Sequence, residues 1–202
     1  MTRPPCADVS GNAPWITLAL IVLSVVVSAI APEPSARFGL LVLDRAEPRP
    51  WPWLTTHFLH AGAVHLGWNV FALGCLGLLG EAQHRARFGM SLIAGIVAVD
   101  LWFACINVDL RFYCGLSGAL NSVLLVTLYV LRGTIPTRWL WLAAVLVVLK
   151  VGWEWHTGVA LLTHSRWPSA VGAHVAGLAG ALPLLTAFIW RDAHARSTGI
   201  AP

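Results

Sequence analysis

Charged side chains are scarce in this sequence. Only 11% of its 202 residues are Asp, Glu, Lys or Arg, against roughly a quarter in ordinary soluble domains. With 57% hydrophobic residues and a mean hydropathy of +0.73, that shortage excludes a soluble globular domain and points to a membrane protein. The 13 basic residues outnumber the nine acidic ones and give a net charge of +4. They lie scattered between apolar runs and form no patch, so they read as topology signals and not as a nucleic-acid surface. Cys6, Cys75, Cys105 and Cys114 form no CxxC pair, which argues against a disulfide framework or a zinc knuckle. No HExxH motif is present, so the metalloprotease pattern of two imidazoles one turn apart beside a glutamate base is missing. Neither a repeat of about 20 to 50 residues nor a shift in composition marks a second domain. Residues 1–202 read as one unit.

What the sequence has instead is long apolar runs, at 15–31, 61–80, 88–107, 113–131, 139–155 and 171–190. Six spans of about 20 residues need about 120 apolar residues to cross ~30 Å of hydrocarbon, close to the apolar content found. Backbone in lipid must satisfy its own hydrogen bonds, so each run is expected to be a helix. The expected fold class is therefore all-α, a polytopic six-helix membrane bundle. The first run has the layout of a signal peptide, but five further spans favour a retained anchor. Arg3, Arg85, Arg87, Arg132, Arg138, Arg191 and Arg196 fall on one side of such a bundle, and Arg37, Arg45, Arg49, Arg111 and Arg166 on the other. The larger set places both termini in the cytoplasm. The longest connection, 32–60, is Pro-rich and carries Trp51, Trp53 and Phe58. Its rings suit the headgroup layer, so it is expected to lie partly in the membrane interface.

Polar side chains inside a span are costly and mark working sites. They concentrate in three segments. The first, TTHFLHAGAVHLGWN (55–69), holds His65 and Asn69 four apart on one helix face. His60 lies about 140° around from His65 on a helix, so it shares that face only by preceding the helix. His57 and His60 are expected at a watery mouth. The second, YCGLSGALNS (113–122), sets Ser117 between Gly115 and Gly118 at a helix start, where unpaired N–H groups point toward an oxyanion. The same small residues also suit close helix packing, with Ser117 bonded to backbone. The third, VGAHVAGLAGAL (171–182), puts His174, Gly177 and Ala181 on one stripe, a place for a general base. A Ser117/His174 dyad accounts for both economically. A haem held by His60 or His65 facing His174 is a second reading of the same histidines. Asp100 and Lys150 fall at similar depth, so an ion pair between them is one reading, and Lys150 snorkelling outward or meeting Glu154 is the other.

These residues carry a resemblance: over nearly its whole length the chain resembles a rhomboid intramembrane serine protease. His60, His65 and Asn69 repeat that family's second-helix spacing, GLSG around Ser117 its nucleophile motif, and AHVAG around His174 its base motif. The resemblance implies Ser117 as nucleophile and His174 as base. It implies an oxyanion site from His65, Asn69 and the Ser117 backbone N–H, and His60, Gly115, Gly118 and Asn121 as substrate-binding residues. Glu81 fits the family's acidic residue closing the second helix. The compact size and the wording GLSGALN and AHVAGLAGA are most similar to the rhombosortase subgroup, associated with bacterial substrates bearing a C-terminal glycine pair, one membrane helix and a basic cluster. Such a protein is an endopeptidase of the bacterial inner membrane with no cofactor or metal, and its partners are transmembrane protein substrates and lipid.

Two positions depart from the family pattern. Leu54 follows Trp53 where many members have arginine, and Asn121 stands where many carry a tyrosine stacked under the base. Asn121 is expected to hydrogen-bond His174 instead. A catalytically silent rhomboid-like binder of membrane helices would usually lack the nucleophile or the base, and a transporter would show inverted repeats and broken helices.

Overall fold

The computed structural model describes residues 13–107, 109–161, 167 and 169–198. Arg3, Cys6 and Arg166 lie outside the described residues. Helix α1 (Trp15–Ile30) has no side chain of its own to satisfy its first N–H groups. Glu81 does so from far along the chain, accepting hydrogen bonds from Ile16 N, Thr17 N and Thr17 Oγ1, each at 2.8 Å. That buried carboxylate therefore sits at the positive end of a helix dipole.

The long connection is folded. It contains α2 (Ala36–Leu41), strand β1 (Leu43–Asp44), α3 (Pro52–Thr55) and a 3-10 turn, Thr56–Phe58. β1 pairs antiparallel with β2 (Phe112–Tyr113), Leu43 opposite Tyr113 and Asp44 opposite Phe112. This two-stranded ribbon corrects the purely helical expectation. Its physical role is to tie the connection to the segment that leads into Ser117. At its edge Arg111 donates to both oxygens of Asp44, at 3.0 and 3.1 Å, and holds that carboxyl below its ordinary range.

Helix α4 (Ala63–Leu76) follows Gly62, whose φ of +100° favours glycine. It continues through a π-helical stretch, Gly77–Glu81, into α5 (Ala82–Cys105). Among the described residues, Ala63–Cys105 and Val171–Thr198 are the two stretches long and apolar enough to cross a membrane. An unbroken helix over the 43 residues of the first would run about 65 Å, roughly twice the hydrocarbon thickness. It is not unbroken, because His84 leaves the helical region at φ −153° and ψ 76°. The chain then forms α6 (Ser117–Val130), α7 (Thr137–Thr157) and α8 (Val171–Thr198). α6 begins at Ser117 and not at 113, since 112–113 belong to β2 and Gly115 turns the chain at φ +110°. α8 continues past 190 through a polar end that is still helical.

α5, α6 and α8 pack against one another at the centre. Small residues let their backbones meet. A Cβ on Gly95 would lie 2.7 Å from the Ala119 carbonyl oxygen, one on Gly118 would lie 2.7 Å from Val99 Cγ2, and one on Gly177 would run into the Gly118 carbonyl. At the end remote from Ser117, Arg87 of α5 and Tyr129 of α6 both bond Asp192 of α8, at 2.5 and 2.9 Å. α7 stands at the edge, burying only Leu140, Val151 and Glu154. The outward faces carry exposed large apolar side chains such as Val22, Phe71, Ile93, Leu149 and Trp190, the reverse of a surface selected for water. The chain is a membrane protein.

Candidate active site

The N-terminus of α6 and the first turn of α8 meet where Gly118 packs on Ala173 and Gly177. That close approach brings Ser117 Oγ to 3.0 Å from His174 Nε2. The segment before Ser117 is fixed from the long connection: Gly115 N donates to the Thr56 carbonyl at 2.9 Å, and Thr56 Oγ1 donates to the Tyr113 carbonyl. Tyr113 OH donates to the Gly115 carbonyl at 2.8 Å. Gly115 meets two demands at once. Its φ of +110° disfavours other residues, and a Cβ there would lie 2.6 Å from the His65 ring.

His65 and Asn69 lie one turn apart on α4, and Asn69 Nδ2 donates to the His65 carbonyl at 2.8 Å. An amide carries two N–H groups, so one remains to donate elsewhere. Because α4 starts at Ala63, His60 precedes the helix and its ring meets that of His65 edge-on, centroids 5.0 Å apart. His65 Nδ1 and Asn69 Oδ1 have no hydrogen-bond partner among the described residues.

Several expectations are corrected. His57 and His60 are not at a watery mouth: both are buried, because the connection folds over them. His57 Nε2 lies 3.0 Å from Asp100 Oδ1, so Asp100 pairs with His57 and not with Lys150. Lys150 bonds Glu154 instead, one helical turn further on. Asn121 does not reach His174; its Nδ2 donates to the Ser117 carbonyl at 2.8 Å, as an i to i−4 bond along its own helix. His174 has both ring nitrogens engaged, Nε2 by Ser117 and Nδ1 by Glu154 at 2.8 Å. Neither is left for a haem iron. Among the described residues no group of three or more His, Cys, Asp or Glu side chains is placed to hold a metal ion.

Glu154 had no place in the site from sequence. Its signal was available: an acid inside an apolar run, four residues after a lysine.

Two cavities meet at the pair. The smaller is lined by Ala61, His65, Tyr113, Ser117, Ser169 and His174, among others. The larger, mostly apolar, runs between α4 and α7, with Trp68, Asn69, Phe71, Val147, Lys150 and Glu154 in its walls. Ser117 and His174 line both. No curated protein matches the chain. The family described as the rhomboid domain matches residues 47–191.

Proposed function

The chain belongs to the rhomboid family, and from that premise we propose that it is an intramembrane serine endopeptidase in which Ser117 is the nucleophile and His174 the base. The observation that carries the reading is the 3.0 Å contact between Ser117 Oγ and His174 Nε2. As Oγ attacks a substrate carbonyl, its proton passes to Nε2 and the peptide oxygen becomes negative. The Ser117 N–H at the start of α6, the free Asn69 N–H and His65 meet that charge. His174 then returns the proton to the leaving amine, and water resolves the acyl-enzyme.

The two cavities fit a division of labour. The apolar groove between α4 and α7 takes the substrate segment from the lipid side, and the cavity beside His65 and Ser169 admits water. A substrate helix must unwind at the cut, because an intact helix keeps its carbonyls in hydrogen bonds. In this reading α1, α4, α5, α6, α7 and α8 all cross the bilayer. α7 carries exposed Trp139 and Trp141 at one end and Trp153 and Trp155 at the other, a spacing of roughly 24 Å that matches two interfacial belts. Both termini lie in the cytoplasm, and the membrane is the bacterial inner membrane. The substrate class is the rhombosortase one: a C-terminal glycine pair, one membrane helix and a basic cluster.

The test is co-expression with a substrate carrying such a tag. Wild type should release the processed product and Ser117→Ala should leave the substrate intact. Equal processing by both proteins rejects the serine protease, and a protein that binds the substrate without cutting it is the silent rhomboid-like binder.

A further inference from the structure

We infer that Glu154 extends the Ser117–His174 pair to a triad, as the positioning residue that holds His174 in the tautomer able to accept the serine proton. This rests on the serine-protease reading above.

Glu154 Oε2 lies 2.8 Å from His174 Nδ1. A carboxylate only accepts, so a hydrogen bond at that distance places the proton on Nδ1. The neutral ring then presents its Nε2 lone pair to Ser117 Oγ, 3.0 Å away. The other tautomer would set lone pair against lone pair at Glu154 and point an N–H at Ser117, where it could take no proton.

Glu154 is itself held. Its side chain is 1% exposed. Oε1 accepts the Leu161 N–H at 2.8 Å, and Lys150 Nζ lies 2.9 Å from Oε1 and 3.0 Å from Oε2. The Leu161 bond depends on the end of α7, where Gly158 takes the left-handed conformation at φ +70° and turns the chain back over the helix terminus. Lys150, one turn earlier, balances the buried charge. When His174 gains the serine proton, the imidazolium forms beside a fixed carboxylate in a low-dielectric interior. The glutamate comes from α7, the most peripheral of the long helices, and it also lines the apolar groove.

The experiment needs no natural substrate. A fluorescent fluorophosphonate reacts with an activated serine: Oγ bonds phosphorus, the P–F bond breaks, fluoride leaves with its electron pair, and the serine proton passes through His174 to solvent. Full-length protein in detergent is treated with the probe to obtain the maximal rate kinact and the half-saturating concentration KI. Wild type should be labelled on Ser117, and Ser117→Ala should not. For Glu154→Gln, kinact should fall about 10²-fold or more while KI stays within about twofold, the signature of lost proton transfer and not of a distorted cavity. A Glu154→Gln kinact within about threefold of wild type overturns the triad and leaves the protease reading standing. Wild type left unlabelled, or Ser117→Ala labelled equally, overturns the protease reading itself. Should Glu154→Gln fail to fold, the ¹⁵N-histidine NMR spectrum of Ser117→Ala decides the matter. His174 protonated on Nδ1 supports the triad, and His174 protonated on Nε2 rejects it.

Discussion

In the proposed mechanism, Asn69 is a side chain readied for a charge that exists only during reaction. One of its N–H groups is spent on the His65 carbonyl, which fixes the amide plane, and the side chain lines the same groove as Ser117 and His174. A fixed donor needs no reorganisation when the oxyanion forms, and its loss typically costs about 10² to 10³ in rate. Asn69→Ala should therefore lower kcat for a tagged substrate about 10²- to 10³-fold with KM little changed, measured in proteoliposomes. An unchanged kcat would remove Asn69 from the oxyanion site. Asn121 differs in kind: its Nδ2 bonds the Ser117 carbonyl along its own helix, so it steadies the first turn of α6.

At the scale of elements, the site depends on three helices meeting at both ends. Near Ser117 the meeting is steric, through Gly118 and Gly177. At the opposite end it is ionic. Arg87 and Tyr129 hydrogen-bond Asp192, and Arg132 Nη2 stands 3.7 Å from it. A carboxylate bonded to cationic partners in the folded state loses those contacts' contribution once it is protonated, so the melting temperature in detergent should drop at acid pH in wild type. Asp192→Asn should be less stable at neutral pH by about 1 to 3 kcal/mol, since Arg87 loses its partner while largely buried, and its acid-side decline should be shallower. An Asp192→Asn protein with the wild-type melting curve across this range would show that the clasp carries no stability.

For the whole molecule, the arginines divide between two ends. Arg87 and Arg132 stand at Asp192, with Arg191 and Arg196 on the same end of α8, and Arg45 and Arg111 lie at the β1–β2 ribbon that leads to Ser117. In the proposed orientation the first end faces the cytoplasm and Ser117 lies near the outer face. In a background lacking the native cysteines, Glu47→Cys should react with a membrane-impermeant thiol reagent in intact spheroplasts, and Thr134→Cys, at an exposed position, only after the membrane is opened. The reverse pattern would invert the orientation and move proteolysis to the cytoplasmic side.

The sequence by itself determined what local periodicity and solvent preference can determine. Apolar runs of membrane-spanning length, small residues at the turns of α6 and α8, and a serine and an imidazole inside those runs are visible because lipid makes each polar intrusion expensive. The one-turn spacing of His65 and Asn69 is equally local. Only the tertiary structure decided which buried polar groups meet. Asp100 bonds His57 across 43 positions, Glu81 caps α1 across 64, and Glu154 reaches His174 across 20. The ribbon joining β1 to β2 has the same character. Such pairings are set by how helices cross and where loops fold back, and a buried charge advertises in sequence that it needs a partner without naming which one.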